Sequence, residues 1–143
     1  MRRALLLVDH GSVRGEANDL LIDVARLVRE RSGLDIVECA HMELAEPTID
    51  QGFAACAAQG AELVIVHPYF LAPGRHSTRD IPRLVAEAAA RYPHVPFRVT
   101  EPLGLHPRLV DVVLERAGLG PGEIAPAPLA AATGGGSPAR VAH

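Results

Sequence analysis

The sequence predicts an α/β protein, a parallel sheet covered by helices on both faces, and two observations carry that expectation. Short apolar runs alternate with longer segments whose apolar residues recur every three or four positions. The runs at 4–8 and 63–66 are also too uniformly apolar to leave one face in water, which is the pattern of parallel strands buried on both sides. Helices between such runs act as crossovers, giving the order βαβαβαβα in three layers, α/β/α, around four strands. The 143 residues suffice for one domain and leave no room for a second of full size.

Taken in order, Ala4-Leu5-Leu6-Leu7-Val8-Asp9 forms the first strand, and His10 stands at its carboxyl end with Gly11 allowing a sharp turn. Ala17, Leu20, Leu21, Val24, Leu27 and Val28 then draw an apolar stripe on a helix from Glu16 to Ser32, stopped by Gly33. The second strand, Leu34 to Met42, carries more polar residues, which places it nearer the sheet edge, and it delivers Glu43. Pro47 suits the first turn of the second helix, whose inward residues are Ile49, Phe53 and Cys56 or Ala57, with Gly60 closing it. Ala61 to His67 reads as a central third strand. A connection from Pro68 to Arg79 follows, about twice the usual two to six residues, and long loops at this edge carry function. Asp80 is the expected N-cap of the third helix, with Pro82 in its first turn and Ile81, Leu84, Val85 and Ala88 inward. Phe97 to Thr100 makes a short fourth strand. His106 caps the last helix, Pro107 opens it, and Leu109, Val110, Val113 and Leu114 form its stripe. The folded domain is expected over 1–118, and the Gly-, Pro- and Ala-rich stretch 119–143 as a disordered tail.

Composition narrows the function classes. A net charge of -3 with three Phe, two Tyr and no Trp offers neither the basic stripe nor the stacking platforms of a nucleic-acid binder. The apolar run after Arg2-Arg3 stops at Asp9, too soon for a signal peptide or a membrane span, so a cytoplasmic protein without a membrane partner is expected. Cys39 and Cys56 form no C-x-x-C and sit in apolar segments, where a reduced, structural thiol is the rule.

Right-handed crossovers point every strand the same way, so the ends of strands one, two and three share one sheet edge, the edge where open α/β sheets bind ligands. That edge receives His10, Glu43 and His76. Two imidazoles and a carboxylate suit a divalent first-row metal and leave coordination positions open. Of the remaining histidines, His41 and His67 fit strand-end packing, His106 a cap, and His94 and His143 solvated positions.

Four segments in this order also carry a family resemblance: Leu6-Leu7-Val8-Asp9-His10-Gly11-Ser12 with Asn18 downstream; Met42-Glu43-Leu44-Ala45-Glu46-Pro47; Pro68 to His76 running into Asp80-Ile81-Pro82; and Pro102-Leu103-Gly104-Leu105-His106-Pro107. Together, from Arg3 to Gly118, they resemble the sirohydrochlorin chelatases, class II chelatases of the siroheme and cobalamin pathways. The resemblance implies a flavodoxin-like chelatase lobe, a lyase that inserts Co2+ or Fe2+ into sirohydrochlorin or a precorrin without ATP and with no permanently bound cofactor. It also implies that His10 and His76 match the family's metal-binding and catalytic histidines, and Glu43 its acidic partner. Ni2+ suits the same donor set.

The chemistry of insertion fits those residues. Two pyrrole N–H protons must leave while the metal sheds water, which calls for a base that titrates near neutrality and a weak metal perch. His10 is expected to be base and ligand, His76 the second ligand, and Glu43 a group that steers the metal or relays protons. The substrate's carboxylates need donors, and Ser12, Arg14, Arg75, Ser77, Thr78 and Arg79 are placed for that, with Leu71, Ala72, Pro73 and Gly74 lining the same loop. One departure is Asp9, where the family has a small residue; its charge is expected either to orient His10 and raise its pKa or to point into solvent. A histidine phosphatase shares the strand-His-Gly pattern, but Asp9 stands where that class grips phosphate with arginine, and a carboxylate there repels the substrate. A non-catalytic metal or tetrapyrrole carrier uses the same ligands without turnover and stays open. Larger class II chelatases resemble two such lobes around one cleft, so a homodimer with its site near the interface is expected here.

Overall fold

The N-terminal apolar run forms β1, Arg3–Asp9, whose body is buried on both faces, and the sheet is built outward from it. After β1 come α1 (Gly15–Ser32), β2 (Ile36–His41), α2 (Ile49–Ala58), β3 (Leu63–Pro68), α3 (Arg75–Ala89), β4 (Phe97–Val99) and α4 (Pro107–Arg116). The computed structural model describes residues 1–72 and 74–121, without the side chains of Arg75 and His76; from residue 122 the expected tail lies outside the described residues. All strand pairs are parallel, in the order β2-β1-β3-β4. The two most apolar strands are therefore interior and the more polar β2 is an edge, as burial on both faces requires.

Side-chain alternation along β1 splits the core in two. Ala4, Leu6 and Val8 pack with Phe53 of α2 and with Ile81 and Val85 of α3, while Leu7 packs on the opposite face with Leu21 and Ala25 of α1. This is the expected α/β/α sandwich. At Gly52 a Cβ would lie 2.8 Å from Leu6 Cδ1 and 3.0 Å from the Ala40 Cβ, so α2 reaches the sheet through a glycine. Both cysteines are free; burial and then the Glu38 charge push the Cys56 thiol up to about 12, which makes it inert.

Several element details differ from the sequence expectation, each for a local reason. On α1 the inward residues are Leu21, Val24, Ala25 and Val28, whereas Ala17 is exposed and Leu20 and Leu27 are 58% and 55% exposed. A stripe as wide as the expected one exceeds what one sheet face can cover. Pro47 precedes α2 instead of opening it, because Thr48 is the cap: its Oγ1 accepts from the Gln51 N–H and its own N–H donates to Gln51 Oε1. The third helix starts at Arg75, well before Asp80. Ser77 Oγ accepts from the Gly74 N–H, and Thr78 donates both its N–H and its hydroxyl to the Gly74 carbonyl, a local set that starts the helix and leaves Pro82 inside it.

The chain divides into two compact units, Met1–Gly104 and Leu105–His143. In the second, α4 begins as expected, with His106 accepting from the Arg108 N–H and Pro107 at its start. Its expected buried stripe is not buried: Val110, Val113 and Leu114 remain exposed. Periodicity predicts an apolar face but not what covers it.

At the end of β3, His67 Nδ1 lies 2.9 Å from Thr100 Oγ1, which itself donates to the Glu101 carbonyl, so the imidazole N–H is the donor to Thr100. Burial lowers the His67 pKa from 6.5, and a backbone hydrogen bond at Glu101 opposes this in part. A depressed folded-state pKa means that stability is fully present above about pH 6.5 and is lost as pH falls through the folded value, since the unfolded chain takes the proton first. The melting temperature is expected to fall on acidification below about pH 6.5, and to fall less in His67→Gln. Equal slopes for the two proteins in thermal melts across that range would assign the loss to other groups.

Candidate active site

Parallel pairing carries the residues that follow β1, β2 and β3 to one edge of the sheet. His10, directly after β1, is exposed, and its ring stacks on Phe70 with centroids 4.5 Å apart and planes 25° from parallel. Stacking uses the ring face, so the in-plane nitrogens remain available to a proton or a metal. Phe70 is itself anchored: the Leu103 N–H donates to its carbonyl at 3.0 Å, and the Gly104 N–H to that of Leu71 at 2.8 Å.

Glu43 is brought to His10 by backbone. The β1·β2 ladder continues past both strands, with the Met42 N–H donating to the Asp9 carbonyl at 2.8 Å and the Glu43 N–H to the His10 carbonyl at 3.1 Å. Gly11 has φ +90°, and a Cβ there would lie 1.8 Å from the Glu43 carbonyl oxygen and 3.1 Å from the His41 Cβ. The turn after His10 can rest on the Glu43 backbone only through a glycine. Asn18, on the first turns of α1, holds the same turn from the other side: its Oδ1 accepts from the Ser12 N–H and its Nδ2 donates to the Ser12 carbonyl.

Asp9 does neither of the things expected of it. Its Oδ1 lies 2.6 Å from Nδ1 of buried His41, the residue opposite it in the ladder, so its charge is directed at His41 and away from His10. Other predicted residues take varied places. Arg14 is exposed at the N-cap of α1, and Ser12 Oγ accepts from its N–H. Leu71 is 64% exposed and Ala72 exposed; Pro73 lies outside the described residues. Gly74 caps α3, and Arg75 and His76 fall in its first turn, not in the loop, so His76 follows the end of β3 as the topology required. Thr78 and Arg79 are exposed, but Ser77 is 4% exposed with its hydroxyl held by Gly74, which removes it as a donor to substrate. Among the described residues no three His, Cys, Asp or Glu side chains gather into a metal cluster.

Some features of this edge were not singled out from sequence. Phe70, Val13 and Leu44 are three: Val13 is 82% and Leu44 65% exposed, and these two with Leu71 put one exposed large apolar residue on the segment after each of β1, β2 and β3. An apolar side chain in an otherwise polar or Gly-containing turn was the available signal. The Asp9–His41 contact needs strand register, which one sequence does not supply. A cavity of about 240 Å3 opens behind Phe70, walled also by Pro68, Val99 and Pro102.

Residues 4–118 match the family model described as CbiX. The chain belongs to the CbiX family. It is 48% identical over 112 residues to the chloroplastic sirohydrochlorin ferrochelatase of Arabidopsis thaliana, covering 78% of this chain and 50% of that protein. To the sirohydrochlorin cobaltochelatase of Methanocaldococcus jannaschii it is 37% identical over 138 residues, covering 80% and 96%. The solved structure of SirB from Bacillus subtilis with Fe3+ superposes with a TM-score of 0.76 at 33% identity, covering 82% of this chain and 46% of that one. This CbiX chain thus spans about half the length of the plant and Bacillus relatives and nearly all of the methanogen relative.

The Gly11 contact gives a direct test. Gly11→Ala places a methyl group on the Glu43 carbonyl at a left-handed φ, and about 1–3 kcal/mol of stability should be lost, with the turn displaced. Urea unfolding measures this, and a midpoint equal to the wild type would show that the turn does not rest on Glu43.

Proposed function

We propose that this CbiX chain is a lyase that inserts Co2+ or Fe2+ into sirohydrochlorin or a closely related precorrin. The observation that carries it is His10: an exposed imidazole at the end of a central strand, its ring fixed on Phe70, with Glu43 tied to its backbone. The names of the relatives supply the substrate class. The loops at the sheet edge that carries His10 suit such a substrate, because Val13, Leu44 and Leu71 on them are exposed and offer apolar contacts to a flat macrocycle.

In this scheme His10 takes a pyrrole proton and lends a nitrogen to the incoming metal, and Glu43 passes the proton on or attracts the hydrated cation. His76, in the first turn of α3, is the second ligand. Arg14, Thr78, Arg79, Arg75 and the amino end of α3 receive the carboxylates. Metal is substrate here, so a site with few protein ligands is an advantage: a full coordination sphere would hold the ion back from the ring. The free cysteines fit a cytoplasmic setting, and among the described residues no helix is long and apolar enough to cross a membrane.

His10→Ala should lower the insertion rate by about 100-fold or more, with stability changed by no more than about 0.5 kcal/mol because the side chain is exposed. His76→Ala should lose most activity as well. Anaerobic incubation with sirohydrochlorin and Co2+ or Fe2+, followed by absorbance, measures both, and near-normal turnover in either variant overturns that residue's role.

The active unit is proposed to be a homodimer that closes over the macrocycle. His10 and its apolar neighbours lie on an open edge, where one face of a bound ring would stay in water and metal hydration would compete with insertion. A two-fold partner supplies the missing cover. Light scattering at working concentration should report a dimer; full specific activity from a monomer would overturn this arrangement.

A further inference from the structure

We infer that Asp9 and His41 are a positioning pair that fixes Glu43 against His10, a role resting on the chelatase function proposed above. They are ladder partners at the last rung of β1 and β2, and each immediately precedes the site: His10 follows Asp9, and Met42-Glu43 follows His41. Their side chains meet at 2.6 Å, with His41 2% and Asp9 20% exposed. With Asp9 ionised, the His41 Nδ1–H donates to the carboxylate, a charge-assisted bond that water barely reaches.

The need for such a bond follows from the topology. β2 is an edge strand, so its carboxyl end pairs with β1 on one side and on the other with a single bridge, from His41 to Thr48. Past that end the chain makes the 42–47 loop, in which Leu44 sits at φ +72°, a conformation disfavoured for a residue with a Cβ. An edge terminus leading into a strained loop is where local opening is easiest. His41 closes it at two points. Its N–H donates to the Pro47 carbonyl at 2.8 Å, shutting the loop at its base, and its imidazole ties that base to β1. Gly11 then rests on the His41 Cβ and the Glu43 carbonyl. Without the side-chain bond, the register of Glu43 with His10 rests on the two backbone hydrogen bonds at Asp9 and His10 and on the Gly11 contact. Misplacement by about 1 Å can cost on the order of 100-fold in rate.

The test compares Asp9→Ala, His41→Ala, the double variant and Asp9→Asn, which keeps shape and acceptor but drops the charge. Rates of Co2+ insertion into sirohydrochlorin are taken per folded molecule, alongside amide exchange at residues 42–46. Both alanine variants should lower kcat by about 10-fold or more while KM for sirohydrochlorin stays within about threefold, and exchange at Met42 and Glu43 should accelerate. The double variant should be no worse than either single one, and Asp9→Asn should fall between Asp9→Ala and the wild type, clearly below the latter. If an alanine variant does not fold, Asp9→Asn alone still decides, through an intermediate rate and intermediate exchange. Variants with wild-type kcat per folded molecule, or with unchanged exchange at Glu43, overturn the positioning role. A wild-type protein that fails to insert either metal would instead sink the chelatase assignment, and the exchange measurement would still report whether the pair holds Glu43.

Discussion

The carbonyl of Glu43 occupies the space where a side chain at position 11 would be. That contact ties together two turns that are 32 residues apart, one after β1 and one after β2, and it works only because residue 11 is glycine at φ +90°. The neighbouring interactions follow from it. The backbone hydrogen bond from Glu43 to His10 requires the turns to be this close, Asn18 clamps Ser12 so that the turn stays there, and Asp9 reaches His41 in the rung below. His10 can then be exposed without being loose, since its ring rests on Phe70 and its carbonyl accepts from the Glu43 N–H.

The rigidity of this edge is inherited from the sheet beneath it. β1 is buried on both faces, β3 is buried on one and half-buried on the other, and glycine at position 52 lets α2 lie close to Leu6 and Ala40. Interiors packed this closely do not yield gradually. The loops above can therefore be short on hydrophobic support and still present fixed side chains, which is why exposed Val13, Leu44 and Leu71 need not collapse inward.

The interior places of β1 and β3, the outer place of β2, the three layers and the arrival of His10 and Glu43 at one edge were legible in the sequence, because uniform apolar runs and the handedness of crossovers determine them between them. Helix starts were less so. Pro47 and Pro82 both suit a first turn, yet Thr48 with Gln51, and Gly74 with Ser77, make hydrogen-bonded caps that decide the matter, and those competing donors carry no periodicity. The apolar residues of α1 show a third limit: six candidates fit helical spacing, but the sheet covers a narrower strip, and Ala17, Leu20 and Leu27 fall outside it.

Asp9 illustrates what register adds to chemistry. Beside His10 in sequence, it looks like the carboxylate that orients a catalytic imidazole. A strand, however, sends successive side chains to opposite faces, so neighbours in sequence are the residues least able to touch, whereas ladder partners on one face lie about 5 Å apart. Asp9 and His41 are such partners, and the bond goes to His41. The carboxylate that comes with His10 at this edge is therefore the one delivered by the next strand, Glu43, whose distance from His10 is set by sheet geometry and not by a flexible side chain. Dividing the acidic groups in this way gives one a buried partner and leaves the other exposed, on the turn whose backbone is bonded to that of His10.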